Sequence, residues 1–228
     1  MLYQSMKIVL GPFLRLLWRP DARGVEHVPE DGPAILAGNH VSFSDSVFMP
    51  LVLPRRVRFI AKAEYFTEKG VKGWLKRNTL TGIGSIPVDR SGGDEATRAL
   101  LAAQRVVENG ELFGIYPEGT RSPDGRLYKG KTGVARLALT TGAPVVPVAM
   151  LNTGELQPIG RKFPRIGRVR LVFGEPLDFS RYSAHSYDRA FERAVTDEIM
   201  DAIRGLSGQE YVDSYAADVK SRSDDALG

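Results

Sequence analysis

The chain has 228 residues, 43% of them hydrophobic, which is enough for one domain with a substantial core. The absence of cysteine excludes disulfide bonds, thiolate metal sites and a cysteine nucleophile. A formal net charge of +4 favours an anionic partner, which composition alone does not identify, and the scattered His27, His40 and His185 do not indicate a metal site.

Residues 1–20 are apolar with interspersed cations, and Gly11-Pro12 interrupts them. They carry too much charge for a membrane-spanning helix and lack a signal-peptide cleavage site. The apolar bulk with Trp18 and Arg19 at its end predicts a pair of helices lying in a membrane interface. Packing on the protein's own core is the alternative.

Strand and helix patterns alternate from residue 34 onward, after a predicted loop at 21–32. Strands are predicted at residues 34–37, 57–61, 83–88, 112–116, 145–151 and 169–173. Helices are predicted at 70–80, with Trp74 and Leu75 inward, at 96–108, with Leu100, Leu101, Ala103, Val106 and Val107 on the buried face, at 134–140 and at 187–206.

This alternation predicts an α/β fold with a mostly parallel central sheet flanked by helices, plus the N-terminal interfacial helical segment. We therefore divide the chain into a membrane-interface segment at 1–20, a domain at 21–207 and a mobile polar tail at 208–228.

His40 and Asp45 lie five positions apart in the sequence NHVSFSD, directly after the first predicted strand. Ser42 or Ser44 can cap the next helix, with Asp45 in its first turn. The carboxylate can then hold one ring nitrogen of His40 while the other faces a substrate. A capped helix with a nearby surface histidine explains this stretch equally well.

Other polar residues follow other predicted strands, and in parallel sheets the carboxyl ends of strands meet at one edge, where sites form. The residues expected at this edge are His40, Lys62, Asp89, Arg90, Glu118 and Arg121. Within the sequence YPEGTRS at 116–122, the Arg121 guanidinium can bind a phosphate with two parallel hydrogen bonds. Glu118 can brace that arginine or meet a substrate hydroxyl; a purely structural pair is the alternative.

Three further motifs receive structural explanations. Residues 125–132 match the phosphate-loop pattern, but the preceding strand ends too early, so we interpret the match as chance. In residues 92–95 (GGDE), Asp94 is interpreted as a helix cap. A basic cluster can meet an anionic membrane or an acidic cofactor, or be a solvated edge; it comprises Arg161, Lys162, Arg165, Arg168 and Arg170.

Four segments in order, at 39–45 (NHVSFSD), 84–90 (GSIPVDR), 116–122 (YPEGTRS) and 145–148 (VVPV), resemble the glycerolipid acyltransferase family that includes 1-acyl-glycerol-3-phosphate acyltransferases. The resemblance covers about residues 34–150. Pro87 stands where this family commonly has an aromatic residue, which bears on acyl-chain preference.

The resemblance implies transfer of a fatty acyl group from acyl-CoA or acyl-ACP to the free hydroxyl of 1-acyl-glycerol-3-phosphate, without a bound cofactor or metal. His40 would be the base, since an imidazole titrates near pH 6.5, and Asp45 would fix its tautomer. The implied substrate-binding residues are Arg121, Lys62 and Arg90 for the phosphate, Glu118, Gly119 and Thr120 for the acceptor, and Gly84, Ser85 or Lys62 for the oxyanion.

The expected partners are membrane lipids, bound through the N-terminal segment, and acyl-CoA or acyl carrier protein, but not nucleic acid. We expect a peripheral or monotopic protein on the cytoplasmic face of the cell membrane. The alternatives are another acceptor, such as glycerol-3-phosphate or a different lysolipid, a catalytically silent lipid-binding protein, and a nucleotide hydrolase using residues 125–132.

Overall fold

A computed structural model describes residues 2–88, 95–182 and 188–225. These residues form nine strands: β1 (Asp21–Arg23), β2 (Ala34–Gly38), β3 (Val57–Lys62), β4 (Ser85–Val88), β5 (Leu112–Ile115), β6 (Leu127–Tyr128), β7 (Val145–Leu151), β8 (Arg170–Phe173) and β9 (Tyr211–Val212). They also form nine helices: α1 (Leu2–Trp18), α2 (Asp45–Val52), α3 (Glu64–Thr67), α4 (Gly70–Gly82), α5 (Glu95–Glu108), α6 (Gly133–Thr141), α7 (Thr153–Leu156), α8 (Arg189–Ser207) and α9 (Ala216–Asp225).

Seven strands form one sheet in the order β1-β8-β7-β2-β5-β3-β4. Neighbouring strands run parallel, except for the antiparallel pair β7 and β8. The predicted α/β fold with a mostly parallel sheet is therefore confirmed. Because β2, β5, β3 and β4 are parallel neighbours, their carboxyl ends meet at one edge of the sheet.

The central strand β2 is buried on both faces, which explains its unbroken apolar sequence. Ile35 and Ala37 pack with residues of α5, α6 and α8 in one hydrophobic layer. Ala34 and Leu36 point to the opposite layer, where they pack with residues of α2. The buried strand thus carries the chain through the core to the sheet edge, where Asn39 and His40 follow.

Two residues predicted on buried helix faces, Leu101 and Trp74, are exposed. Leu101 of α5 is 49% exposed, because it shares its stripe with Gln104, Arg105 and Glu108, whereas Ala103, Val106 and Val107 are buried. Trp74 of α4 is 56% exposed. The packed face of α4 instead carries Gly73 and Leu80, which lie seven positions apart and thus on one side of the helix.

Helix α1 is one continuous helix with Pro12 inside it, not the predicted pair. One side packs on the domain: Leu14 and Trp18 contact the second hydrophobic layer, and Arg15 Nη2 donates to the Leu51 carbonyl at 2.9 Å. On the other side of Pro12, Lys7 Nζ donates to the Leu53 carbonyl, so the domain holds the helix both before and after the proline. Its other side leaves apolar side chains in solvent, namely Ile8, Val9, Phe13 and Leu16.

Two regions predicted as irregular contain regular structure. The expected loop at 21–32 begins with β1, which pairs with β8 over three residues, too few to show a sequence period. The expected mobile tail after Gly208 instead folds back: β9 pairs with β6, and Ala216 of α9 is fully buried. In the part of the chain that the structure describes, no helix is long and apolar enough to cross a bilayer.

Gly84, which precedes β4, offers a test of the backbone geometry at the start of that strand. Its φ is +88°, and an added Cβ would lie 2.2 Å from the Val57 carbonyl oxygen. Gly32 has a similar φ of +76° but open space around it. We expect Gly84→Ala to lower the free energy of unfolding by roughly 1–3 kcal/mol more than Gly32→Ala, because only Gly84 adds a backbone clash to the left-handed strain. Urea unfolding measures both; equal losses would contradict this.

Candidate active site

The turn that carries His40 begins where Asn39 fastens the end of β2 to β7. Its side-chain oxygen accepts from the Met150 N–H at 2.7 Å, and its Nδ2 donates to the Met150 carbonyl at 3.1 Å. The ladder thus ends on a side chain, which frees the following residues to turn. His40 is the first residue of that turn.

His40 and Asp45 form the predicted pair. The His40 Nδ1 lies 2.9 Å from Asp45 Oδ2, which also accepts from the N–H groups of Val41 and Ser42 at 2.9 and 2.8 Å. Asp45 is fully buried, and the side chain of His40 is 17% exposed. We assign the Nδ1 proton to the bond with Asp45, which leaves the Nε2 lone pair available. Nε2 has no hydrogen-bond partner among the described residues.

Gln157, which sequence reasoning missed, holds the middle of the turn. Its Oε1 accepts from Ser42 Oγ at 2.9 Å and from the Ser44 N–H at 3.1 Å. Ser44 occupies the N-cap position of α2, but its side chain makes no capping bond, so the predicted serine cap was wrong. Ser42 and Ser44 instead form hydrogen bonds within the buried turn and to Gln157. A single glutamine more than a hundred residues away gives no sequence signal for such a contact.

Tyr116, which follows β5, sets the plane of the imidazole. The two rings are stacked with centroids 4.0 Å apart and planes 8° apart. The Tyr116 hydroxyl lies 3.0 Å from Ser46 Oγ on α2. Burial, with Asp45 nearby, raises the pKa of Tyr116 well above its usual value. The phenol therefore stays neutral and serves as a flat wall for His40.

Glu118 does not pair with Arg121 or face the cavity as predicted. It is 1% exposed; its Oε2 accepts from the His40 N–H at 2.8 Å and its Oε1 from the Tyr128 N–H at 3.0 Å. The Ser122 N–H in turn donates to the His40 carbonyl at 2.7 Å. Glu118 is thus a buried brace for the His40 backbone. Burial raises its pKa to about 7 against these two bonds, which lower it.

Residues 209–220 contact the segments that surround His40, from Asn39 before it to the loop at residues 120–125. The Asn39 Nδ2 donates to Gln209 Oε1 at 2.8 Å, and Gln209 Nε2 donates to the Gly125 carbonyl. From α9, Lys220 Nζ donates to Thr120 Oγ1 at 2.8 Å and to the Arg121 carbonyl. Residues 209–220 are therefore a structural part of the site.

His40 opens on a cavity of about 460 Å³. Its polar lining includes His40, Ser85, Thr120 and Arg121. Its remaining lining is mostly apolar and comes from β3, β5, α4 and α5, including Phe59, Ile60, Leu80, Leu100, Ala103 and Phe113. A base, a cation and an apolar space thus share one cavity.

The other predicted site residues have different outcomes. Gly119 and half-buried Arg121 line the cavity, and Lys62 ends β3 at the same sheet edge. The Gly84 N–H donates to the Thr81 carbonyl at 3.1 Å, so its predicted oxyanion role was wrong. Asp89, Arg90 and Asp94 lie outside the described residues. Across residues 2–88, 95–182 and 188–225, no cluster of three or more metal-ligating side chains occurs.

The phosphate-loop match at 125–132 has no cradle of open amides. The N–H groups of Leu127 and Lys129 donate to the carbonyls of Glu210 and Val212, that of Tyr128 to Glu118, and that of Lys131 to the Pro117 carbonyl. A phosphate-binding loop instead turns its N–H groups toward the ligand. This geometry supports the interpretation as a chance match.

Comparison with known proteins identifies the class to which this fold and site belong. The acyltransferase family model matches residues 19–151, more than half of the chain. The chain therefore belongs to the acyltransferase family, as the ordered motifs predicted.

The relatives make the class more specific. The chain is 33% identical over 162 residues to a chloroplast 1-acyl-sn-glycerol-3-phosphate acyltransferase of Brassica napus, covering 70% of this chain and 45% of that protein. It is 27% identical to the 1-acyl-sn-glycerol-3-phosphate acyltransferase of Bacillus subtilis, covering 81% and 86%. A solved 1-acyl-sn-glycerophosphate acyltransferase of Thermotoga maritima superposes with a TM-score of 0.66 at 30% identity, covering 90% and 78%. The chain spans about half the length of the plant relatives.

Asp45→Asn tests the orientation of His40. Asparagine keeps the size but offers one acceptor oxygen without charge, where Asp45 Oδ2 now holds three donors. We expect acyl transfer to fall by about 10²–10⁴-fold in kcat while the fold survives. The exposed Asp31→Asn is the matched control for charge loss. Activity near wild type in Asp45→Asn would contradict the pairing.

Glu118→Gln tests the buried brace through pH. Because its pKa is raised to about 7, the Glu118 carboxyl group keeps its proton to about pH 7 in the folded chain. In the unfolded chain the same group loses its proton near the usual pKa of 4.5. Stability from this group is therefore complete below about pH 4.5 and is lost as pH rises through about 7. The loss is at most about 3 kcal/mol.

We therefore expect the stability advantage of the wild type over Glu118→Gln to shrink between pH 5 and pH 8, measured by urea unfolding at each pH. At low pH the variant should be weaker by roughly 1–3 kcal/mol, because the glutamine NH₂ group must face one of two N–H donors. A pH-independent difference would show that Glu118 does not titrate in this window.

Proposed function

We propose that this chain transfers a fatty acyl group from acyl-CoA or acyl-ACP to the free hydroxyl of 1-acyl-glycerol-3-phosphate, giving phosphatidic acid. The observation that carries the proposal is the oriented imidazole of His40, which opens on a cavity shared with Arg121. The names of the relatives support the same reaction. The acyl carrier is a substrate, and no bound cofactor or metal takes part in the proposed steps.

The proposed chemistry is direct transfer. His40 Nε2 accepts the proton of the acceptor hydroxyl as its oxygen attacks the thioester carbon. Asp45 stabilises the imidazolium that forms. When the C–S bond breaks, the imidazolium returns the proton to the leaving sulfur, so the products are an ester and a thiol. Ser42 is fully buried and bonded to Gln157, which disfavours a serine acyl-enzyme.

Two groups can stabilise the oxyanion. Ser85 lines the cavity with His40, and Lys62 ends β3 at the carboxyl edge of the sheet, the edge at which His40 follows β2. A hydroxyl in an apolar cavity is a strong donor to developing negative charge, and a lysine at that edge supplies positive charge nearby. The apolar lining from β3, β5 and α5 suits the hydrocarbon chain of an acyl substrate.

The proposed location is the cytoplasmic face of the cell membrane, held peripherally. The supporting observation is the outer side of α1, where Ile8, Val9 and Leu16 are each at least 70% exposed. Apolar area of this size on a helix fits the interfacial region of a bilayer. A lipid acceptor would be reached from that surface.

The reaction is tested by thiol release from oleoyl-CoA with and without lysophosphatidic acid. We expect acceptor-dependent release, and a fall of about 10²–10⁴-fold in His40→Ala, since general-base catalysis contributes that much. Release from acyl-ACP and with glycerol-3-phosphate or other lysolipids assigns donor and acceptor. Normal turnover by His40→Ala would overturn the base assignment, and no turnover with any donor and acceptor would favour a lipid-binding protein.

Arg121→Ala tests acceptor recognition. Loss of a charged hydrogen bond to phosphate should raise KM for lysophosphatidic acid by about 10–100-fold. Transfer to a monoacylglycerol, which lacks the phosphate, should change little. Arg105→Ala, on the exposed side of α5, controls for the lost charge. Equal effects on both acceptors would contradict a phosphate-binding role.

A further inference from the structure

A second unusual surface lies outside the active site, in the loop of residues 158–168, which we call the cationic loop. It carries Arg161, Lys162, Arg165 and Arg168 and no acidic residue. Two large apolar side chains stand out from it, Phe163 at 80% and Ile166 at 69% exposed. Exposed apolar side chains interleaved with cations are the composition of segments that bind anionic membrane surfaces.

The cationic loop is braced by hydrogen bonds between its backbone and residues 156–157 that precede it. Gln157 Nε2 donates to the carbonyls of Arg161 and Lys162 at 3.3 and 3.0 Å, and the Arg165 N–H donates to the Leu156 carbonyl at 2.8 Å. Arg168 pairs with Asp21 at 3.3 Å. The side chains that project are therefore presented by a braced loop, and Arg161, Lys162 and Arg165 supply its available positive charge.

The cationic loop and α1 belong to one continuous surface. The Trp18 Nε1–H donates to the Arg165 carbonyl at 2.8 Å. One groove of about 410 Å³ is lined by Leu10 and Leu14 of α1 and by Phe163 and Pro164 of the loop. Its other wall includes Phe43, which also lines the cavity next to His40. An apolar helix side and a cationic, apolar-tipped loop thus border a groove that leads toward His40.

We propose that the cationic loop is a second membrane-binding element, specific for an anionic lipid bilayer. Phe163 and Ile166 enter the interfacial region, while Arg161, Lys162 and Arg165 contact lipid phosphates. Two contacts, α1 and the loop, fix the rotation of the domain on the bilayer, which a single helix cannot do. This proposal rests on the proposed function, because a lipid acceptor requires the groove to face the bilayer.

The test is flotation of the full chain with phosphatidylcholine vesicles, with and without phosphatidylglycerol. The variants are the triple Arg161→Gln, Lys162→Gln, Arg165→Gln and the double Phe163→Ser, Ile166→Ser. The charge-matched control is Arg105→Gln, Arg189→Gln, Arg204→Gln, whose residues are exposed on α5 and α8, across the sheet from the loop. Unchanged thermal unfolding shows that each variant folds.

We expect the triple variant to lose affinity for the anionic vesicles on the order of 100-fold, with little change on phosphatidylcholine alone. The double variant should bind both vesicles less well, and the control should match wild type. Equal losses in control and triple variant, or wild-type binding by the triple variant, would overturn the proposal. So would a double variant that changes only self-association in sedimentation, since the surface would then join two copies.

Vesicle binding is measured without substrate, so a failure of the proposed reaction can be told apart from a failure of the proposed membrane contact. Acyl transfer to a micelle-dispersed acceptor in neutral detergent should be unchanged in the triple variant. If wild type shows no transfer but the loop-dependent binding persists, the proposed function fails and membrane binding stands. If transfer is normal and the triple variant binds anionic vesicles fully, only the loop proposal fails.

Discussion

The buried carboxyl group of Glu118 is the contact on which the site depends. It joins the backbone of His40, which follows β2, to the backbone of Tyr128 in β6. Burial makes its negative charge costly, and the two N–H donors offset that cost. Glu118 lies in the loop that carries Arg121, so its bond to His40 ties that loop to the turn that follows β2. Neither segment can shift without breaking a buried hydrogen bond.

Around this brace, four groups of His40 have separate constraints, while Nε2 is left open to the cavity. Its N–H and carbonyl are held by Glu118 and Ser122, its Nδ1 by Asp45, and its ring face by Tyr116. Little conformational entropy of this side chain therefore remains to be lost on binding, which is the advantage of a preorganised group in the base role proposed for His40. The sheet supplies the position and the loops supply the orientation.

Local patterns predicted the layout of the fold and the reactive pair. The alternation of strand and helix patterns predicted a mostly parallel sheet, and His40 with Asp45 could be paired because they lie on one turn. Glu118 was assigned the wrong role because its partners are backbone groups, which every residue has. Gln157 and Gln209 were missed because their contacts span more than a hundred residues, beyond any local spacing. Trp74 was misplaced by hydrophobicity alone.

The contacts of residues 209–220 have a consequence for how the protein matures during synthesis. All seven strands of the main sheet precede these residues, so the sheet can form on a growing chain before they appear. Gln209 and Lys220 reach back to Asn39 and Thr120 only afterwards. Formation of the sheet and full support of the His40 turn are therefore separate steps during synthesis, and the second waits for residues 209–220.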